Sequence, residues 1–144
     1  RFMTPNNSNE MENSWERYYE YWKPLTQDHL EKGMLDIHQG LFQESSTPQI
    51  IEKFSYDSFK NTELDKELKS LSVKTLIMTG VETDVCVLAT VFSAVDLGYR
   101  VIMASDAMTS SDLECHEFVL NSLTNRFDQQ IEVATVDEIL EKWK

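Results

Sequence analysis

The spacing of hydrophobic residues changes near residue 73. Before that point the pattern is irregular, and after it short apolar runs alternate with stretches in which apolar residues recur every three or four positions. The short runs predict buried strands, and the wider spacing predicts amphipathic helices. Because strands separated by helices usually pair in parallel through right-handed crossovers, the pattern predicts an α/β, doubly wound fold with a parallel sheet.

Strands are predicted in the second half at residues 75–79, 99–104 and 131–134. Gly80 ends the first strand. Gly98 ends the helix that follows, because glycine is common just past a helix C-terminus. The apolar stripe of that helix comprises Val85, Leu88, Phe92 and Val95.

Two capping boxes predict where the last two helices begin. Ser111 with Glu114 predicts a helix that runs through Leu123, and Thr135 with Glu138 predicts the final helix. In such a box each side chain accepts a hydrogen bond from the backbone N–H of the other residue.

The first half of the chain gives weaker signals. Asn13 or Ser14 is predicted to cap an aromatic helix that Pro24 closes, and Thr62 is predicted to cap a leucine-rich helix. Residues 34–56 are predicted to be extended. The aromatic residues Trp15, Tyr18, Tyr19 and Trp22 share one helix face. Such a face usually packs inside a protein, and a substrate lid or a subunit contact is the alternative.

Composition narrows the class of protein. The 144 residues suit one domain, 41% are hydrophobic, and 13 basic residues against 25 acidic ones give a net charge of −12. This excess of negative charge disfavours nucleic acid and anionic membranes as partners. The four glycines are too far apart for the common nucleotide-binding loops. Two cysteines without a disulfide framework favour a cytoplasmic setting.

The most informative segment is residues 79–86, at the end of the first predicted strand. Ligands of open parallel sheets bind at the carboxyl ends of strands. With Thr83 as N-cap, Cys86 would lie in the first helical turn, where the helix dipole stabilises a thiolate. The backbone N–H groups of Val85 and Cys86 would then be available to an oxyanion, and Lys53, at another predicted strand end, would add a positive charge. The alternative is a small buried cysteine and a solvated lysine.

Other candidate groups are weaker. Cys115 lies in the middle of a predicted helix between Glu114 and His116, without free backbone N–H groups and with acidic neighbours, and is predicted to be structural. Asp36 and His38 have the spacing of metal ligands, but no third ligand lies nearby in sequence, so neither a metal nor a cofactor is predicted. His29 and His116 are interpreted as surface or packing residues.

Three motifs, in order, resemble those of the isochorismatase-like cysteine hydrolases. Residues 52–59 (EKFSYDSF) are similar to the lysine motif of that family, and residues 80–87 (GVETDVCV) to its cysteine motif. Residues 98–101 (GYRV) and 105–107 (SDA) are similar to the next strand and its ending. The resemblance implies a three-layer, Rossmann-like α/β/α fold with strand order 3-2-1-4-5-6.

The resemblance also implies a mechanism. Cys86 would be the nucleophile and Lys53 the lysine of an Asp-Lys-Cys triad, with a cis peptide between Val81 and Glu82. The reaction implied is cleavage of an amide or ureido C–N bond of a small molecule through a thioester. The vinyl ether cleavage of isochorismatases is the alternative, and a homo-oligomer, a dimer or tetramer, is expected. A substrate pocket formed by Tyr56, Phe59 and Thr83 is a further expectation.

One element of the family pattern has no match in the chain. The catalytic Asp belongs to a D-x-Q type motif at the end of the first strand, and Asp36, Asp57 and Asp84 lie in other contexts. Residues 1–144 are therefore interpreted as a single domain that lacks its first strand, its first helix and most of its second strand. Roughly 35 to 50 upstream residues would supply them. Without them the Lys53 strand is expected to be unpaired.

Two other classes of function stay open at this point. The first is a binding or regulatory module that keeps the fold without catalysis, as the missing Asp suggests. The second is a phosphoacceptor domain using a strand-end residue such as Asp106, although the acidic pair and lysine that it needs were not found.

Overall fold

A three-stranded parallel sheet organises the second of the two units into which the chain divides, Arg1–Ser55 and Tyr56–Lys144. The computed structural model describes residues 1–42 and 48–143. The strands lie in the order β1-β2-β3, and both neighbouring pairs are parallel. They are β1 (Thr75–Val81), β2 (Arg100–Thr109) and β3 (Ile131–Ala134). The predicted α/β class with a parallel sheet is confirmed.

Two strands are longer than their sequence pattern predicted. The β2 strand continues beyond residue 104 because Met108 and Thr109 pair with Gly80 and Val81 of β1. The register between the two strands shifts between Met78 and Gly80. The predicted strand ended at residue 104, whereas residues 105–107 belong to β2 and lie in this irregular part of the ladder. The shift falls where β1 approaches its carboxyl end.

Alternation along β2 explains which side of the sheet is covered. Val101 and Met103 are fully buried, whereas Arg100 is exposed and Ile102 is only partly buried. Successive side chains of a strand point to opposite faces, so the buried pair marks the face that carries the core. Burial of apolar area at about 25 cal/mol per Å² is the main stabilising term for such a core. Its buried members are Val87, Val91, Ala94, Tyr99, Val101, Met103, Met108, Val119 and Ile131.

Helices of the second unit follow the predicted order. They are α2 (Leu64–Ser70), α3 (Leu88–Asp96), α4 (Leu113–Phe118) and α5 (Val136–Lys142). Wide π-type turns precede α3 at Thr83–Val87 and follow α4 at Val119–Leu123, and a 3₁₀ helix covers Thr124–Phe127. Among the described helices, none has the length and apolar character of a membrane span.

Among the caps of α2, α4 and α5, one agrees with the sequence and two differ. The Thr135 and Glu138 capping box is present at α5. The α4 cap is Asp112 rather than Ser111, because the Asp112 carboxylate accepts the Cys115 N–H at 3.0 Å. The α2 helix begins one residue later than predicted, with Glu63 at the N-cap position. The Thr62 hydroxyl still accepts the Leu64 N–H at 3.3 Å.

Replacement of Gly98 by alanine is expected to introduce backbone strain just beyond the end of α3. The φ of Gly98 is +87°, and this residue forms the end of α3 with Gly98 N–H donating to Val95 and Tyr99 N–H to Ala94. An added Cβ would meet nothing within 4 Å, so crowding is not the issue. We expect Gly98→Ala to lower the free energy of unfolding by about 1–2 kcal/mol in urea titrations.

Asparagine tolerates the left-handed region better than alanine, so Gly98→Asn is the matched control for this prediction. It should lose less stability than the alanine variant. Equal stability of the alanine variant and the unmodified protein would contradict the strain argument.

The first unit contains one α-helix, α1 (Asn13–Tyr21), within its described residues. Trp15 stacks on Tyr19 with ring centroids 6.0 Å apart, and Tyr19 is buried. Trp22 is 48% exposed, so it lies outside this packed aromatic group. The predicted caps Asn13 and Ser14 are wrong. Glu12 holds the N-cap position, and no side chain caps the helix.

Short 3₁₀ helices make up the other regular structure described in the first unit. They are Ser8–Glu10, Lys23–Leu25 and Gln39–Phe42. Pro24 lies at the start of the 3₁₀ helix Lys23–Leu25, shortly after α1 ends. This position fits the prediction that Pro24 closes the aromatic helix, because proline cannot continue a helix.

The prediction of extended backbone over residues 34–56 is largely wrong. Residues 39–42 are helical, and residues 43–47 lie outside the described part of the chain. Lys53 forms an isolated parallel bridge with Phe2, in which Lys53 N–H donates to Arg1 and Met3 N–H donates to Lys53. Lys53 is thus paired, contrary to expectation, although it belongs to no strand. Only Leu35 and Ile37 alternate in this segment, and two apolar residues are too few to specify a strand.

Candidate active site

Cys86 lies in the wide turn Thr83–Val87 that directly follows β1. Its side chain is partly exposed, and the peptide bond between Val81 and Glu82 is cis. Glu82 rather than Thr83 holds the N-cap position, so Cys86 is one position further into the helix than predicted. It still belongs to the opening turn of a continuous helical segment that ends with α3, at the carboxyl end of a parallel strand.

The hydrogen bonds of this turn differ from those of a regular α-helix. The Glu82 carbonyl accepts the N–H of Val85 at 3.2 Å and that of Val87 at 3.1 Å. A regular α-helix would instead bond that carbonyl to the N–H of Cys86. The prediction that the Val85 N–H is available is therefore wrong, because the earlier start of the turn gives it a carbonyl partner. An oxyanion role for the Cys86 N–H stays a prediction.

Thr90, in the first turn of α3, binds the part of the Thr83–Val87 turn that contains Cys86. Its hydroxyl donates to the Cys86 carbonyl at 2.8 Å and accepts the Ser58 N–H at 3.0 Å. One residue earlier, the Asp57 carboxylate accepts the Ser93 hydroxyl at 2.7 Å. These bonds attach the segment at residues 57–58 to α3 beside Cys86. Asp57 thereby has a structural role in the second unit.

Thr83 holds the other end of the turn. Its side chain is fully buried, its hydroxyl donates to the Thr109 carbonyl at 3.0 Å, and the same oxygen lies 2.8 Å from His116 Nδ1. A fully buried side chain with these partners has no surface to offer a substrate. Thr83 therefore supports the turn instead of lining a pocket.

The other two predicted pocket residues lie in different environments. Phe59 packs against the core and stacks on Tyr99, with centroids 5.9 Å apart and an interplanar angle of 19°. It is a core residue, which the sequence could not show because an aromatic side chain suits both roles. Tyr56 is 40% exposed, so its side chain is accessible.

His116 and Thr90 were not singled out as functional by the sequence. His116 had been interpreted as a surface or packing residue, and it bonds to the residue that begins the Cys86 turn. A signal was present. His116 lies three and four positions before Val119 and Leu120, which face the core, so the histidine is on the buried side of its helix.

Lys53 lies in the first unit and is 8% exposed. Its Nζ atom is 5.8 Å from the centroid of the Phe2 ring, a cation–π distance. The alternative of a solvated surface lysine is therefore wrong. A buried lysine is uncommon, because burial of a charge is costly unless the charge is compensated.

Cys115 contrasts with Cys86. It is exposed and lies in the first turn of α4, where the sequence had placed it deeper in a helix. Desolvation, followed by the negative charge of Asp112 and its hydrogen bond to the thiol, raises the pKa of Cys115. The charges of Asp84 and Glu114 act in the same direction. The thiol is thus kept protonated at neutral pH, which agrees with the predicted non-catalytic role.

Asp112→Asn is expected to accelerate alkylation of Cys115. Asparagine can still cap α4, while loss of the negative charge lowers the pKa of the neighbouring thiol toward its ordinary value. A lower pKa gives more thiolate at pH 8, so iodoacetamide should modify Cys115 faster. The rate is measured by peptide mass spectrometry, with Glu63→Gln, which is remote in sequence, as control. An unchanged rate in the Asp112 variant would contradict this account.

The two remaining candidates are the phosphoacceptor Asp106 and the metal-ligand pair Asp36 and His38. The Asp106 carboxylate accepts the Val136 N–H at 2.8 Å, so this residue helps to begin α5. Across residues 1–42 and 48–143, no three His, Cys, Asp or Glu side chains are grouped as metal ligands would be. Asp36 lies in a turn, with its N–H bonded to the Gly33 carbonyl. It is not on a strand face with His38, as the metal alternative required.

Comparisons with known proteins identify proteins that this chain is similar to. Residues 2–136 match the family model described as the isochorismatase domain. Nicotinamidase 3 of Arabidopsis thaliana is 33% identical over 85 residues, 59% of this chain and 43% of that protein. Ureidoacrylate amidohydrolase RutB of Variovorax paradoxus (strain S110) is 36% identical over 58 residues, 40% of this chain and 23% of that protein. The chain thus spans less than half the length of these curated relatives.

A solved structure supports the same relationship. It is an isochorismatase-like hydrolase from Alkaliphilus metalliredigens, which superimposes with a TM-score of 0.60 at 34% identity. The match covers 69% of this chain and 54% of that one. The fold and the sequence therefore point to one family.

Proposed function

This chain belongs to the isochorismatase family, and we propose that it is a cysteine hydrolase that cleaves a C–N bond of a small amide or ureido compound. The observation that carries the proposal is the position of Cys86. It is a partly exposed thiol in the opening helical turn at the carboxyl end of a parallel strand. That edge of a parallel sheet is where ligands bind.

The proposed chemistry proceeds in two steps. The Cys86 thiol gives up its proton, and the thiolate attacks the substrate carbonyl carbon. A C–S bond forms, and the C–N bond breaks as the leaving nitrogen takes up a proton in place of the one that the thiol released. Water then attacks the thioester, which releases the acid and restores the thiol. The Cys86 N–H is proposed to stabilise the oxyanion in both steps.

Lys53 is proposed as the lysine of the triad. Support comes from its burial and from the match of residues 52–59 to the lysine motif of the family. The acidic member of the triad is assigned to no residue of this chain. Asp57 in particular is engaged by the Ser93 hydroxyl and by the Phe59 N–H.

The relatives support amide chemistry over the vinyl ether alternative. One is a nicotinamidase and another a ureidoacrylate amidohydrolase, and their names denote hydrolysis of amide-type bonds. A small-molecule substrate, a cytoplasmic location and a homo-oligomer remain part of the proposal.

A substrate panel tests this function. The protein is incubated with nicotinamide, N-carbamoylglycine and isochorismate, and ammonia release and vinyl ether loss are measured separately. The proposal predicts ammonia release from an amide or ureido compound and its loss in Cys86→Ala. Turnover of isochorismate alone would overturn C–N cleavage. No turnover of any compound, together with equally slow alkylation of both cysteines, would favour the inactive module.

A further inference from the structure

A chain of hydrogen bonds joins α4 to the turn that carries Cys86. His116 Nδ1 lies 2.8 Å from Thr83 Oγ1, and that hydroxyl donates to the Thr109 carbonyl at 3.0 Å. A hydroxyl has one proton to donate and two lone pairs to accept with. Because the Thr83 proton is directed at Thr109, the His116 contact is satisfied when Nδ1 carries a proton and donates to Thr83. The order is therefore His116 to Thr83 to Thr109.

The same side of the turn has a second attachment. The Ser111 N–H, in the loop between β2 and α4, lies 3.3 Å from the Glu82 carboxylate. Glu82 and Thr83 are thus both held by the segment that leads into α4. The opposite end of the turn is held by Thr90 of α3 through the Cys86 carbonyl. The turn is therefore fixed at both ends. At its beginning, His116 of α4 supplies a side-chain contact from a different helix.

We propose that His116 is a positioning residue for Cys86 and acts through Thr83. It would not touch the substrate. Its donated hydrogen bond would hold the first residue of the turn, and with it the direction of the Cys86 thiol and N–H. A displacement of about 1 Å in such a group can cost about a hundredfold in rate. This inference rests on the proposed function of Cys86.

The test uses iodoacetamide, because its reaction with Cys86 requires no knowledge of the substrate. All variants carry Cys115→Ser, so that Cys86 is the thiol measured. His116→Phe keeps a flat ring but removes the donor, whereas His116→Asn places an amide N–H near the position of Nδ1. We expect the Phe variant to react about tenfold more slowly and the Asn variant to stay within about twofold of the parent.

A chemically matched pair in the first unit supplies the control. His29 Nδ1 lies 3.0 Å from the Thr26 hydroxyl, and these residues are three positions apart in the sequence. His29→Phe therefore removes the same type of bond without affecting the turn. It should leave the alkylation rate of Cys86 unchanged, and melting temperatures of all variants are recorded to monitor folding.

The outcomes separate the inference from the proposed function. A fast parent rate that is kept in His116→Phe would overturn the positioning role and leave the function standing. Equal slowing in the Phe and Asn variants would also overturn it, because the effect would then not depend on the donor. A slow parent rate, no faster than that of Cys115 in the unmodified protein, would overturn the proposed function itself.

Thr83 variants keep the inference testable if His116→Phe does not fold. Thr83→Ser keeps the shared hydroxyl and should react like the parent. Thr83→Val removes it and should reproduce the roughly tenfold slowing. A parent-like rate in Thr83→Val would contradict the inference.

Discussion

Replacement of Cys86 by alanine is expected to lower kcat/KM for the hydrolysed amide by at least about 10³-fold. The variant would keep the turn but lose the sulfur that forms the thioester. Because the side chain is partly exposed and small, the change should leave the melting temperature close to that of the unmodified protein. Steady-state ammonia release across a range of substrate concentrations measures the effect.

Cys115→Ala is the matched control for this prediction. Cys115 is exposed and its thiol is kept protonated, so its removal should change kcat/KM by no more than about twofold. Comparable losses in the two variants would contradict the assignment of Cys86 as the nucleophile.

Replacement of Lys53 by methionine is expected to lower kcat by at least about a hundredfold, because the proposed triad loses its positively charged member. Methionine is apolar and has a similar length, so it can fill the buried space beside Phe2 while removing the charge. The loss is expected in kcat, with a smaller change in KM, because the lysine is proposed to act in the reaction and not in substrate binding.

Lys66→Met is the control for the lysine prediction. The Lys66 side chain is 78% exposed and pairs with Glu63 on the surface of α2, so its charge contributes little. Activity should stay within about twofold of the unmodified protein. If Lys53→Met kept full activity with an unchanged melting temperature, the proposed triad would lose its lysine.

Sequence patterning predicted the second unit well because its signals are strong there. The apolar strands, the stripe from Val85 to Val95 and the Gly98 stop each indicate the same helix or strand that the structure contains. The sequence pattern did not predict the end of β2. Met108 and Thr109 belong to the strand because they pair with β1, and their neighbours in sequence do not show this pairing. Tertiary pairing decided that boundary.

The first unit was predicted poorly for the opposite reason. Its one clear signal, the aromatic stripe, gave α1 and its packing around Tyr19. The segment before Lys53 has little periodicity, and Lys53 is placed by backbone bonds to Arg1 and Met3, some fifty residues away in sequence. Contacts at that sequence separation cannot be inferred from local spacing.

At the candidate site the sequence proposed the reacting side chains but not the residues that support them. Spacing and motif picked out Cys86 and Lys53. The support from Thr90 and His116 depends on side chains of different elements meeting in space, which no local pattern encodes. The prediction for the Val85 N–H failed for a related reason, because a one-residue shift of the helix start gave this group a partner.

The central claim is that hydrolysis passes through a covalent bond to Cys86, and mass spectrometry of the acid-quenched protein tests it most directly. The protein is mixed with the hydrolysed amide, stopped in acid during turnover, and digested. The account predicts an added mass equal to the acyl group on the peptide that contains Cys86, absent when the substrate is omitted. Full turnover with an unmodified Cys86 peptide, or with the acyl group on another residue, would contradict it.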